Sequence, residues 1–415
     1  MKIPALCILL FIPFSGACSA QALRINEFLA DNTSTSFPDE DGETPDWIEL
    51  HNPSGGVVSL AGLSLTDDPE DLAKWPLPGV SIPARSYLVV FASGKDRAPA
   101  NGAPLHTNFL LAGSGEYLAL VAADGTTPLS EFGEAGSDYP NQRSGISYGV
   151  FGSPLQTGYF FNPTPGAAND EGSAVLGFVA DTEFDIDRGF YTEPFDVAIT
   201  TATPGASIRY TTDGSWPSET TGRAYTGPIR ISRTLPLKAI AYKSGFVSSN
   251  VDTQTYLFVD SVVSQTDSNT RRTWRLPSSW DGNTPYYGMN NNPSVDPLDP
   301  SVSEGLTAVP TLSIAMEAPD LFGTDGIYSH PQSSGAAWER KTSLEFIDPA
   351  HPDGSNNFQQ NCAIRIQGGA FRSFGLTRKK SFRVLFKSEY GTGNLPTGGP
   401  GKLDYPLFGP TAASE

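Results

Sequence analysis

The sequence predicts a mainly β, multi-domain protein, and three observations carry that expectation. Gly 42 and Pro 35 interrupt nearly every helical pattern in the 415 residues, so turn-rich β structure leads. Short runs of Val, Ile, Tyr, Phe and Thr recur between turn clusters, at the spacing of sandwich strands. At roughly 100–200 residues per domain, the length leaves room for about two to four separate cores. The formal charge of −18 is spread along the chain. Such a surface repels phosphate backbones and excludes nucleic acid as the main partner.

The first 22 residues read as an export signal. Lys2 supplies charge, Ile3 to Phe14 an apolar stretch, and Ala20-Gln21-Ala22 small residues for cleavage. The mature chain then starts at Leu23, secreted or displayed at the cell surface. A second reading takes Ser15-Gly16-Ala17-Cys18 as a lipoprotein signal with Cys18 lipidated, although an aliphatic residue normally stands where Ser15 is. The apolar stretch is short for a spanning helix, and no later segment is long enough. Cleavage leaves Cys362 alone, so core size and not disulfides must stabilise the exported domains.

Residues 23–169 alternate short strands with turns. Trp47, Ile48 and Leu50 follow an acidic loop, Tyr87 to Phe91 and Tyr117 to Val121 are strand-like, and Asp124-Gly125 signals a hairpin. Asn162-Pro163-Thr164-Pro165-Gly166 cannot continue regular structure and reads as a boundary. In order, Ile25-Asn26-Glu27-Phe28, Asp46 to Asn52, Leu60 to Asp68, Trp75, Tyr87 to Ser93, Leu105 to Phe109 and Gly115 to Leu118 resemble the lamin-tail domain of bacterial secreted proteins. That resemblance implies an immunoglobulin-like sandwich without enzymatic activity, used for interaction or spacing.

Residues 177–258 form a second β unit. Ser207 to Thr212 favours strand, Asp213-Gly214 a tight turn, and Leu237 to Tyr242 another strand. The set Tyr210 to Ser215, Pro217, Tyr225 to Ile229 and Leu237 to Tyr242 is similar to the module that ends chitobiases. It implies a fibronectin-like sandwich, again without catalytic residues. Residues 259–309, rich in Ser, Asn, Asp and Pro, read as a connector with little core. Trp274 and Trp280 are expected to anchor it on a neighbouring domain.

From Pro310 the pattern changes. Thr311 to Ile314, Ser343 to Phe346, Ala363 to Ile366 and Phe382 to Phe386 are four strand candidates for one sheet. Ile364 and Ile366 face one way, and Phe382, Val384 and Phe386 share a face opposed by Arg383 and Lys387. Gly368-Gly369-Ala370-Phe371-Arg372-Ser373 and Arg378-Lys379-Lys380-Ser381 place a glycine loop beside a basic cluster. Glycines admit close backbone approach and lysines neutralise phosphate. This is neither a Walker loop nor GxGxxG, and the plain alternative is a hairpin with a solvated basic tip.

Leu321-Phe322-Gly323, Gly326 to Ser329, Trp338-Glu339-Arg340, Glu345-Phe346, Ile364 to Gly369, Arg378 to Arg383 and Leu403 to Phe408 resemble, in order, the beginning of the CotH kinase family. The resemblance covers 310–415 only as an N-terminal, β-rich part of an atypical kinase-like α+β domain. It implies a protein kinase using ATP with Mg or Mn. Strand parity then puts Lys380 on the apolar side with Phe382 and Val384, so Lys380 is the leading phosphate-facing residue. Lys379, Arg372, Arg365, Gly368 and Gly369 complete the candidate cofactor edge. The competing reading has Lys380 merely snorkelling at the strand end.

Phosphoryl transfer also needs metal-holding carboxylates. Only Asp404 and Glu415 follow the basic strand at any distance, so no catalytic residue is assigned. The segment is expected to be a fragment of a longer reading frame, or else a degenerate protein, inactive as it stands. The alternative to the kinase reading is a non-catalytic extracellular scaffold binding a protein or a cell-wall polysaccharide.

Other groupings carry less. Asp39-Glu40-Asp41-Gly42-Glu43 fails the EF-hand test, with Thr44 at the turn-glycine position and Leu50 at the bidentate position, and reads as a solvated loop. Asp181, Asp185 and Asp187 read as an acidic linker, with a shared cation as the alternative. His51, His106, His330 and His351 lack metal-ligand spacing, and no G-x-S-x-G occurs.

Overall fold

The computed structural model describes residues 23–32, 37–133, 137–279, 284, 286–289, 299–373, 380–387, 390 and 405. The export signal with Cys18, and Trp280, Lys379, Asp404 and Glu415, lie outside the described residues. The chain divides into two compact units, Met1–Gly177 and Phe178–Glu415. Among the described residues no helix is long and apolar enough to cross a membrane.

The first unit is built from two larger sheets and a short strand pair, Val58–Ser59 with Ser81–Ile82. One runs in the order Ala174–Val175, β8 (Gln156–Phe160), β7 (Ser147–Phe151), β1 (Arg24–Leu29), β2 (Asp46–Asn52), β4 (Ser86–Ala92), Leu105–His106. The other runs β6 (Pro128–Phe132), β5 (Leu118–Val121), β3 (Ser64–Thr66), Trp75–Pro76. Phe28 joins them: its ring lies 5.1 Å from Phe132 of the second sheet and 5.9 Å from Tyr148 of the first. A register shift between Ile25 and Glu27 breaks strict alternation in β1. Both Asn26 and Glu27 are therefore buried beside the apolar residues.

The Pro-rich stretch at 162–166 is held against the sheet. Glu27 accepts hydrogen bonds from Ser147 Oγ and Thr164 Oγ1, and Glu49 accepts one from the Gly166 amide at 2.5 Å. Asn169 donates to the Asn26 and Val150 carbonyls. Two buried carboxylates thus satisfy backbone N–H groups that no ladder reaches.

The second unit opens with a small sandwich. Its larger sheet runs Gly189–Phe190, β11 (Asp252–Leu257), β10 (Leu235–Tyr242), β9 (Ser207–Thr211), Arg223–Ala224. Two strand pairs, Phe195–Val197 with Ile229–Ile231 and Thr182–Phe184 with Ile199–Thr201, accompany it. Val197, Ile199, Ile231, Leu237 and Tyr256 form the core.

The stretch expected to be a connector with little core contains α1 (Val259–Val263), α2 (Asp267–Trp274) and α3 (Pro300–Thr307), in which Val263 is the buried residue. The polar residues that read as linker are helix caps. Thr266 accepts from the Asn269 amide, and Asp299 accepts from the Ser301 amide with Pro300 in the first turn. Trp274 packs on the sandwich core, with the Arg233 guanidinium 5.7 Å from its ring centre.

The last described layer is one antiparallel sheet in sequence order: β12 (Thr311–Ala315), β13 (Arg340–Ile347), β14 (Phe358–Gln367) and β15 (Ser381–Leu385). Pairings of Ile364 with Val384 and of Ile366 with Phe382 gather the alternating apolar residues on one face. That face packs on Met316, Ile327, Tyr328 and Trp338. Its opposite face carries Ser313, Ser343, Glu345 and Asn361 and lies against β11.

Candidate functional site

The glycine loop begins where the β14–β15 ladder ends. Gln367 pairs with Ser381, so the next residues outward are Gly368 and Lys380. Gly368 has φ +116, a left-handed conformation that favours glycine. Among the described residues nothing lies within 4 Å of where a Cβ would stand on Gly368 or Gly369. Lys380 is 8% exposed, and its backbone hydrogen-bonds the Tyr328 hydroxyl. Lys379 lies outside the described residues.

The two arginines turn elsewhere. Arg365 lies 3.7 Å from Glu339, which also accepts from Lys387 Nζ at 2.7 Å and from the Tyr390 hydroxyl at 2.6 Å. Burial pushes the Glu339 carboxyl up, but Lys387 and Tyr390 outweigh it and hold the group below the usual range. Arg372 donates to the carbonyls of Gln332 and Ser333. The sequence brought four cations and a glycine loop together in order; of the three that are described, the fold sets Lys380 beside Gly368 and turns Arg365 and Arg372 to other partners.

A second feature of this unit was not read from the sequence. Glu345 is fully buried. It accepts from the Thr255 amide at 2.9 Å and from Thr255 Oγ1, and it pairs with Arg188 at 3.2 Å. Arg188 also donates to Gln254 Oε1 and the Thr253 carbonyl. Ser313 Oγ meets Thr255 Oγ1 at 2.8 Å, and Asn361 donates to the Val251 carbonyl. Lys238, likewise fully buried, donates to the Gly214 and Ala315 carbonyls, each at 2.9 Å. The sandwich and the last sheet therefore meet through charged and polar groups that are almost all satisfied. A usable signal existed: Lys238 and Glu345 are charges inside otherwise apolar strand runs, Leu237 to Ala241 and Leu344 to Ile347.

Near this seam lies a cleft of about 330 Å³ lined by residues including Asp187, Tyr191, Asp348, His351 and Asp353. His351 Nδ1 contacts Asp348 at 2.9 Å. Asp181, Asp185 and Asp187 do not converge. Asp185 accepts from the Ala198 amide and Asp181 from the Asn250 amide, while Asp187 lines the cleft.

In the first unit the acidic loop is ion-paired and not simply solvated. Lys95 reaches Asp39, Asp41 and Glu43, and Arg97 reaches Glu40 and Asp41. His106, fully buried, contacts Glu40 at 3.0 Å and Ser93 Oγ at 2.8 Å. Among the described residues, groups of three or more His, Cys, Asp or Glu close enough to share an ion occur only here, and Lys95 and Arg97 already pair with their carboxylates.

Residues 17–135 match the family described as Lamin Tail Domain, and residues 186–253 match the family described as Chitobiase/beta-hexosaminidase C-terminal domain. No curated protein matches the chain. No solved structure matches it either. The chain is thus a mainly β, multi-module protein carrying a lamin tail domain followed by a chitobiase/beta-hexosaminidase C-terminal domain.

Proposed function

We propose that this chain is an exported presenting protein of the CotH kinase-like type. In this reading its chitobiase-type domain is the base for a β layer that takes nucleotide phosphates at the edge formed by Gly368, Gly369 and Lys380. The observation that carries it is the register of β14 and β15, which leaves Lys380 across from an open, positive-φ glycine. Bare backbone and one ammonium suit a phosphate. The divalent metal fits less well, because among the described residues the groups of three or more His, Cys, Asp or Glu close enough to share an ion lie in the Asp39–Glu43 loop region and not at that edge. The reading therefore extends to binding and not to a transfer step.

Titration of the full chain with a fluorescent ATP analogue, with and without Mg, tests this. Saturable binding weakened at least about tenfold in Lys380→Met is the expected result, since a charge-assisted contact of about 1.4 kcal/mol is one decade in affinity. No binding of ATP, ADP or pyrophosphate by the folded wild type overturns it.

The second reading is a non-catalytic extracellular scaffold. It is favoured by Arg365 and Arg372, whose guanidinium groups meet Glu339 and the Gln332 and Ser333 carbonyls instead of the glycine edge. Retention of the full chain on cell-wall polysaccharide, together with absent nucleotide binding, would select it.

A further inference from the structure

Lys238 is buried, charged by nature and used by neither reading above. It sits on β10, at 0% exposure, in a strand whose other central residues are apolar. Its Nζ bridges two carbonyls of different layers. Gly214 belongs to the Asp213–Ser215 turn of the chitobiase-type domain, and Ala315 ends the first strand of the last sheet. The Trp216 ring lies 3.9 Å from the same nitrogen, with Lys341 4.2 Å from that ring. The turn is pressed close: a Cβ on Gly214 would stand 2.5 Å from the Met316 carbonyl oxygen.

The charges facing Lys238 come from the Asp213 turn, from β13 and from the stretch after β12. Glu345, Glu317 and Asp213 attract it, Lys341 repels it, and Asp320 also feels its field. Glu345 already has Arg188 at 3.2 Å. An ammonium at Lys238 is therefore an added positive charge withdrawn from solvent, which burial disfavours. A neutral amine still offers two N–H groups, one for each carbonyl.

We infer that Lys238 is a proton-responsive pin: opening the seam between the Asp213–Trp216 turn and the last sheet draws a proton onto this amine, so the seam tightens as pH rises. The direction follows from burial, which holds the amine at about 7 against an ordinary 10.5 even though Glu345 and Glu317 pull it upward. Below about pH 7 both closed and open states are protonated and the seam is insensitive. Between those values the open state alone holds the proton, and each pH unit favours closure by up to about tenfold.

Hydrogen exchange of the full chain, followed at the amides of residues 213–217 and 311–315 and corrected for intrinsic rates, reads the opening constant. Over roughly pH 7.5 to 9.5 it should fall several-fold per unit in the wild type. In Lys238→Met, which keeps length and removes the titrating group, that slope should vanish. Equal slopes in both proteins, or a flat wild type, overturn the inference. Should the variant fail to fold, ¹⁵N-lysine NMR of the wild type decides. One side chain titrating near 7 supports the pin, and no lysine titrating near 7 refutes it.

Discussion

At the scale of single residues, burial sets the chemistry of several groups, and the direction differs with their sign. Glu49 is fully buried, and burial pushes its carboxyl up to about 8, outweighing the Asn26 and Gly166 donors. A carboxyl whose folded value is raised contributes stability fully below the ordinary 4.5, and loses it as pH rises through about 8. Urea unfolding followed by Trp47 and Trp75 fluorescence should therefore show the first unit weakening from pH 5 to pH 9, with a smaller change in Glu49→Gln. His51 moves the other way from its ordinary value. Desolvation and then the Arg24 charge lower it to about 4, so its NMR titration should have a midpoint near 4. Burial pushes the Cys362 thiol up to about 12. A thiol-specific reagent at pH 8 should label Cys362 only after denaturation, and labelling of the native chain would contradict its placement.

At the scale of elements, the acidic loop separates two kinds of ion pair that look alike in sequence. Asp39 is fully desolvated at its side chain and accepts from the Asp41 and Glu43 amides, with Lys95 completing its shell. Removing Lys95 leaves that carboxylate beside amides alone, so Lys95→Met should lower the urea midpoint of the first unit. Arg97 meets Glu40 and Asp41 at a surface where all three side chains are more than a third exposed. Arg97→Met should shift that midpoint far less in the same urea measurement. Neither distinction was legible from Asp39-Glu40-Asp41-Gly42-Glu43, because the partners lie over fifty residues away. What was legible follows period and turn chemistry: the four strands of the last sheet and the faces of Ile364, Ile366, Phe382 and Val384. The helices at 259–274 and 300–307 were missed because Thr266, Asp299 and Pro300 look alike as linker residues and as caps.

At the scale of the second unit as a whole, the buried seam makes the chitobiase-type domain and the last sheet one folding body. Arg188, Thr255 and Lys238 come from the sandwich, while Glu345, Ser313 and the Ala315 carbonyl come from the sheet. These groups were not legible as a site because each sits in a strand that is correctly read as a strand, and only tertiary pairing sets them opposite one another. The consequence is cooperative. Glu345→Ala leaves the Arg188 guanidinium without its acid and the Thr255 amide without its acceptor, a loss of about 3–5 kcal/mol for a buried pair broken on one side. If the two layers form one body, exchange protection should fall together in β10, β11, β13 and β14, although the substituted residue belongs to the sheet alone. Loss of protection confined to β12 through β15, with β10 and β11 unchanged, would show instead that the sandwich stands by itself and that its buried lysine needs no partner from the sheet.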